Sequence, residues 1–359
     1  MIGGIFSRYV GRQFLTAVAA VFFGSFILVT MIDFLEMLRR TGESNVSALF
    51  VAKITVYRVP FVTERILPFA VLVGAMYCYL NLSRRLELVV ARSAGVSAWQ
   101  FVAPSIIVAI LLGVAATTLY NPLSALLREQ SKRLEAQIFG GEASFRDGAF
   151  FARQRSDEGQ SIINAKTSRA QGIELGGVTI FRFDTAGRFR DRIEAKSAVL
   201  EPGHWRLEDV RIYANGVAPS DRPQFEVATN LTPTQVRESF ATPETVPFWQ
   251  LTSYIETAEK AGLAAAAYRL QYYQLLAQPF YLAAMVFFAS AVSLRFFRFG
   301  GVQKMVLAGI GGGFLLYVMS KVTGDLSKAG LMHPAAAAGL PVFVGGLTGL
   351  IALLYQEDG

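Results

Sequence analysis

Cysteine is almost absent from this chain of 359 residues. Cys78 stands alone inside an apolar run, so no internal disulfide can form. Histidine is nearly as scarce. His204 and His333 lie far apart without cysteine partners, which argues against a zinc site and against a Ser-His-Asp triad. No G-x-x-x-x-G-K-[ST] segment occurs, so the chain carries no P-loop for ATP. Gly300-Gly301 and Gly311 to Gly313 lack the lysine and the preceding strand that such a loop needs. The acid pairs Glu208-Asp209 and Glu256 with Glu259 read as solvated faces. These gaps leave an enzyme little to work with, and neither a metal nor a cofactor is expected in this chain. Charge is also in short supply. Charged residues are 17% of the chain, against ~25% in a typical soluble domain.

What remains is apolar. The chain is 53% hydrophobic, with a mean hydropathy of +0.39. That composition describes a polytopic membrane protein with a sizeable soluble part. The net charge of +7 then sets topology or meets anionic lipid, and no nucleic-acid module stands out.

The apolar run Phe14 to Ile32 is too long for a signal peptide and lacks its small-residue exit, so it reads as a retained first span. Phe50 to Arg65 mixes Lys53, Arg58, Glu64 and Arg65 with apolar residues and is interrupted by Pro60. It is expected as an interfacial or cavity-lining helix. The second span is Ile66 to Leu82 and the third Phe101 to Tyr120, which a polar helix from Pro122 to Ile138 continues. From Gly140 to Pro247 the pattern changes to short alternating runs. They are Val178 to Phe183, Phe189 to Ile193, Ala195 to Leu200, Trp205 to Leu207, Val210 to Tyr213 and Phe225 to Val227. Turn clusters separate them, at Asp184 to Gly187, Glu201 to Gly203, Ala214 to Gly216 and Pro219 to Pro223. Such spacing predicts an all-β sandwich or roll. At roughly a hundred residues it can hold its own core. Trp249 to Lys260 is an amphipathic connector, and the last three spans are Gln271 to Leu294, Val306 to Thr323 and Ala335 to Tyr355. Gly309 with Gly313, and Gly345 with Gly349, let helices approach closely, inside this bundle or against a second subunit.

Between spans two and three lies Ser83 to Ala98, too rich in arginine to be a span. Leu86, Val89, Val90 and Ala94 share a face at helical spacing, with Ser83 as N-cap and Gly95 as stop. Arg84, Arg85, Glu87 and Arg92 ring that face. It reads as a helix that docks into a partner, as in transporters driven by a separate ATPase, or as a basic loop that orients its flanking spans. The positive-inside rule places it in the cytoplasm with both termini, and the β domain outside. Against that rule, Arg39, Arg40, Lys53, Arg58 and Arg65 flank the outer ends of spans one and two, and Arg128, Lys132 and Arg133 follow span three. Asp33, Glu36, Glu43, Glu64, Glu129 and Glu135 could pair with them. An anionic ligand could also be held there, and a phosphorylated lipid headgroup suits the place.

The segment Leu86-Glu87-Leu-Val-Val-Ala-Arg-Ser-Ala-Gly95 resembles the coupling helix of the LptF/LptG (YjgP/YjgQ) permeases of the lipopolysaccharide exporter. Arg8-Tyr9, Arg39-Arg40-Thr-Gly42 and Phe139-Gly-Gly141 also look like family features, and the N-terminal Arg-Tyr-Val-Gly and Glu-Leu-Val-Val look more like LptG than LptF. The resemblance implies six transmembrane helices with an inserted periplasmic β-jellyroll-like domain. It divides the chain into 1–139 with a coupling helix at 83–98, 140–247, and 248–359. It implies a heterodimer with an LptF-like permease in a Gram-negative inner membrane, standing on an LptB-like ATPase dimer that holds the ATP and Mg. LptC-like and LptA-like jellyroll proteins would take the lipid onward to build the outer membrane. Arg84, Arg85, Leu86, Glu87, Val90, Arg92 and Gly95 would couple to the ATPase. Arg39 and Arg40 would meet lipid A phosphates, with Lys132 and Arg133 matched only approximately. Asp33 departs from this pattern, because a basic residue can occur there in relatives. A non-transporting scaffold that recruits periplasmic proteins is the alternative function. It would have no use for a basic, lipid-facing cavity.

Overall fold

The fold is taken from a computed structural model. It describes all residues except 1, 43–45, 140–149, 157–158, 170–171, 185–186, 215–217, 230–231, 233–242, 261–264, 298–301 and 358–359. The chain forms two compact units. One comprises Met1–Ser131, Pro247–Trp249 and Arg269–Gly359, and the other Lys132–Val246 and Gln250–Tyr268.

The first unit is helical. It contains α1 (Ile2–Thr41), α2 (Ala48–Arg84), α3 (Glu87–Ser93) and α4 (Ala98–Ala115). A π turn, Ala116–Tyr120, joins α4 to α5 (Asn121–Phe139). After the β insert and the short helix α6 (Leu251–Lys260) come α7 (Ala266–Phe297), α8 (Val302–Lys328) and α9 (Pro334–Glu357). Among the described residues 6 helical stretches are long and apolar enough to cross a membrane, as the apolar runs predict.

The separate interfacial helix expected at Phe50 to Arg65 does not exist as such. α2 runs without a break through Pro60 and Pro68 into the second span. A proline inside a helix loses one backbone bond and disfavours helix at the residue before it. Here tertiary packing overrides that local preference, with Val59 and Thr63 buried on the same helix. α2 is the axis of the bundle. Val71, Leu72, Ala75, Met76 and Tyr79 meet Val10, Phe14 and Val18 of α1, Phe101 and Val102 of α4, and Leu282, Met285 and Val286 of α7 in one apolar core. The glycine pairs serve this bundle. Gly309 and Gly313 face Met76 and Leu72 of α2, and a Cβ at Gly349 would lie 2.7 Å from the Phe287 backbone.

In the second unit six strands pair antiparallel in chain order, β1 (Phe150–Ser156), β2 (Gly159–Arg169), β3 (Glu174–Phe183), β4 (Phe189–Glu201), β5 (His204–Ala214) and β6 (Ser220–Ala228). β1 and β2 were not legible in the sequence, because polar residues such as Arg153, Gln154, Ser161 and Asn164 interrupt their alternation. Ala195 to Leu200 and Phe189 to Ile193 are one strand, as are the two runs within β5. The turn at Glu201 to Gly203 forms where expected, and Gly187 N–H donates to the Asp184 carbonyl at 2.9 Å, whereas parts of the turns at Asp184 to Gly187 and Ala214 to Gly216 lie outside the described residues.

The sheet curls. Gln154 on β1 donates to Ser161 Oγ at 2.9 Å and to the Ala228 carbonyl at the end of β6 at 3.2 Å, so the two edge strands meet there. Buried positions also slip across one transverse line. Leu175 and Val178, Ala198 and Ala195, Leu207 and Val210 all face one core, although residues three apart in a regular strand face opposite sides. At that line the ladder lacks the pairs Gly177–Lys196 and Lys196–Asp209. Gly177 (φ 63°) and Asp209 (φ 55°) adopt the left-handed conformation that glycine takes freely and aspartate tolerates. Pro223 of β6, without an N–H, falls opposite Asp209. Trp205, fully buried, closes the core.

Candidate functional site

The stretch Ser83 to Ala98 is built differently from its sequence pattern. Ser83 does not cap a new helix. It lies in the last turn of α2, which ends at Arg84 with Arg85 as C-cap. The chain reverses at Leu86, whose φ of 61° is unusual for a branched residue. Its N–H bonds the Ser83 carbonyl at 3.0 Å. α3 then runs Glu87–Ser93 and stops at Gly95, φ 80°, as predicted. Ser97 caps α4 in a capping box with Gln100.

α3 is two-faced. Leu88 and Ala91 turn inward, Leu88 joining the apolar core of the bundle. Leu86, Val89 and Val90 are 60%, 54% and 65% exposed. They form an apolar ridge with the exposed Arg84 and Arg85 beside it. Arg92 belongs to α3, but its side chain is not among those described. Glu87 is half-buried and held from the side. Gln13 Nε2 donates to the Tyr9 hydroxyl at 2.9 Å, and that hydroxyl donates to Glu87 Oε1 at 3.2 Å. The bonds tie the start of α1 to α3. Sequence reasoning noted Tyr9 but not this contact; its one signal was that Tyr9 and Gln13 share a helix face.

The basic residues separate into distinct environments. Arg39 and Arg40 sit exposed in the last turn of α1. Arg40 Nε contacts Glu36 Oε1 at 2.9 Å, with both side chains about half exposed, so the pair adds little stability. Arg58 is engaged elsewhere, at 3.3 Å from Asp33 and 3.6 Å from Met37 Sδ. Asp33 is therefore the partner of Arg58. Arg65 and Arg128 lie over the Phe61 ring, 4.5 and 5.1 Å from its centroid. Lys132 is half-buried and Arg133 exposed on α5, where the second unit begins. Among the described residues, Glu64 takes its side-chain hydrogen bonds from neutral groups. Its carboxyl accepts from Asn121 Nδ2 at 2.8 Å and from the Ser124 hydroxyl. Glu43 and the Gly140-Gly141 pair lie outside the described residues.

Among the described residues, six helices long and apolar enough to cross a membrane, a two-faced helix between the second and third, and an inserted antiparallel sheet define a multi-pass membrane protein with an inserted β domain. The chain belongs to the lipopolysaccharide export system permease family LptF/LptG, whose family model matches residues 8–355. It is 25% identical over 346 residues to the lipopolysaccharide export system permease protein LptG of Escherichia coli K12, covering 94% of each chain. To the protein of the same name from Haemophilus influenzae it is 23% identical over 328 residues, covering 89% of this chain and 90% of that one.

Proposed function

We propose that this chain is the transmembrane permease subunit of an ATP-driven exporter that extracts lipopolysaccharide from the inner membrane and passes it to a periplasmic β-jellyroll bridge. One observation carries the reading: a chain of this family presents, between its second and third spans, an apolar ridge at Leu86, Val89 and Val90 that its own bundle leaves uncovered. An LptB-like ATPase dimer, with its ATP and Mg, receives that ridge. Arg84, Arg85, Glu87, Arg92 and the Gly95 turn frame it. An LptF-like permease completes the lipid cavity, and LptC-like and LptA-like proteins take the product. The termini and α3 lie in the cytoplasm and the β domain in the periplasm, by the charge rule. Arg39 and Arg40 meet the lipid phosphates through charge-assisted bonds; Lys132 and Arg133, at the start of the second unit, bind phosphate by the same chemistry.

Removing acyl chains from a bilayer costs ~0.8 kcal/mol per CH₂. A chain without a P-loop needs a partner that supplies that work. The test is a mild-detergent pull-down of the tagged chain with mass spectrometry of what co-purifies. An ABC-type ATPase together with a second six-span permease is the expected result. A chain that comes down alone, or only with periplasmic proteins, overturns the reading in favour of a scaffold.

A further inference from the structure

The polar groups around residue 120 are used neither by the docking ridge nor by the exposed arginines. They centre on Glu64, an ionisable residue in a helix apolar enough to cross a membrane. Such residues are rare there, and they are placed for a purpose with a definable partner. The partner is Asn121, the first residue of α5, which follows the π turn. π turns interrupt the regular ladder and recur at functional sites.

Asn121 works in two directions. Its Nδ2 donates to Glu64 Oε1 at 2.8 Å, and its Oδ1 accepts the backbone N–H of Phe248 at 3.0 Å. Phe248 is where the chain returns from the β insert. The next residue, Trp249, donates its indole N–H at 3.2 Å to the carbonyl of Thr118 in the π turn. The Phe248 ring stacks on Tyr272 of α7, centroids 5.7 Å apart and planes 2° from parallel. On the outgoing side, Ser124 donates to the second oxygen of Glu64. The Tyr120 hydroxyl meets Thr63 Oγ1 at 2.7 Å and the Pro60 carbonyl at 3.1 Å. Thr117 Oγ1 donates to the Leu275 carbonyl at 2.9 Å. The segment that leads into the insert and the segment that leads out of it are thus fastened at one place to α2.

α2 is also the helix that ends at the docking ridge. From Glu64 to Arg84 it continues without a break, a distance of about 30 Å at ~1.5 Å per residue. We propose that Glu64 and Asn121 are positioning residues that clamp both connectors of the β insert to α2, so that displacement of α2 at the docking end moves the two connectors together. The proposal rests on the transport reading above. A group that merely satisfies buried polar atoms would sustain folding; a clamp must also set how much lipid moves for each ATP consumed.

The experiment uses the full complex, co-purified with its ATPase and partner permease, in proteoliposomes loaded with purified lipopolysaccharide. ATP hydrolysis and lipid release to a soluble periplasmic jellyroll acceptor are measured together. Asn121→Asp sets two carboxyl groups against each other while keeping an acceptor for Phe248. Lipid released per ATP is expected to fall at least fivefold, with hydrolysis within twofold of the parent. The exchange Glu64→Gln with Asn121→Asp restores the pair, because the introduced amide donates to the introduced carboxylate. Release within twofold of the parent is expected. Ser124→Ala, which removes one bond without adding charge, is expected to fall between. Normal release by Asn121→Asp, or a double variant as impaired as the single one, overturns the clamp. So does loss of assembly in Asn121→Asp that the exchange repairs, since that outcome makes the role structural. A parent complex that hydrolyses ATP and releases no lipid overturns the transport reading instead.

Discussion

Leu86 adopts a conformation that glycine would adopt at less cost. The left-handed region costs a side-chain-bearing residue roughly 1–2 kcal/mol, and strain of this kind collects where function requires a particular side chain. Leu86 is 60% exposed, so packing within this chain does not repay that cost. Leu86→Gly is therefore expected to leave thermal stability unchanged or raise it by up to about 1 kcal/mol, while lowering the amount of ATPase that co-purifies. A variant that loses both stability and partner together would show that Leu86 serves only its own fold. Glu87 presents a different case. Tyr9 already engages one of its carboxylate oxygens. Glu87→Ala is expected to impair coupling or assembly with the ATPase while circular dichroism and melting show a folded chain. Full export by that variant would count against the docking role. The apolar ridge and the exposed Arg84 and Arg85 beside it were legible in the sequence. The strain at Leu86 and the Tyr9 bond were not, because φ angles and contacts between distant helices leave no trace in residue spacing.

Among the elements, α2 departs furthest from its pattern. One proline, Pro60, and the four charged residues Lys53, Arg58, Glu64 and Arg65 suggested a helix apart from the span. The structure absorbs them by giving several of those side chains partners. Arg58 goes to Asp33, Glu64 to Asn121 and Ser124, and Arg65 stacks on Phe61. α9 and α7 meet at Gly349, and only a hydrogen fits there. Gly349→Ala is expected to cost about 1–3 kcal/mol by overpacking, whereas Gly346→Ala, with open space at its Cβ, should be near neutral; thermal melts of the two in detergent make the comparison. In the β insert, Trp205 is the largest fully buried side chain. Trp205→Ala is expected to remove about 3–5 kcal/mol and to open the strands to limited proteolysis before the helices. The strands from β3 onward were largely readable as alternating runs. Their one-step slip at Gly177, Lys196 and Asp209 was not, since it depends on backbone torsions shared across neighbouring strands.

For the whole molecule, the distribution of basic charge is the feature that separates transport from scaffolding. Two exposed arginines end α1, and Arg58 is taken up by Asp33. The joint reversal Arg39→Glu and Arg40→Glu is expected to reduce lipid extraction at least tenfold while the subunits still assemble, read as lipopolysaccharide released from proteoliposomes per unit time. A scaffold would tolerate the change. The amino-acid sequence by itself determined the membrane class, the six apolar runs, the β insert and the short helix between the second and third runs. Each of these follows from hydropathy, period and turn chemistry, which act over a few residues. Tertiary structure alone decided how Asp33 and Glu64 find their partners, that α2 is one rod, that Leu88 faces in while Val89 and Val90 face out, and that Asn121 bonds both Glu64 and Phe248, the latter 127 residues further along the chain. Those outcomes depend on which groups the fold brings within about 3 Å of one another, and no local pattern encodes that distance.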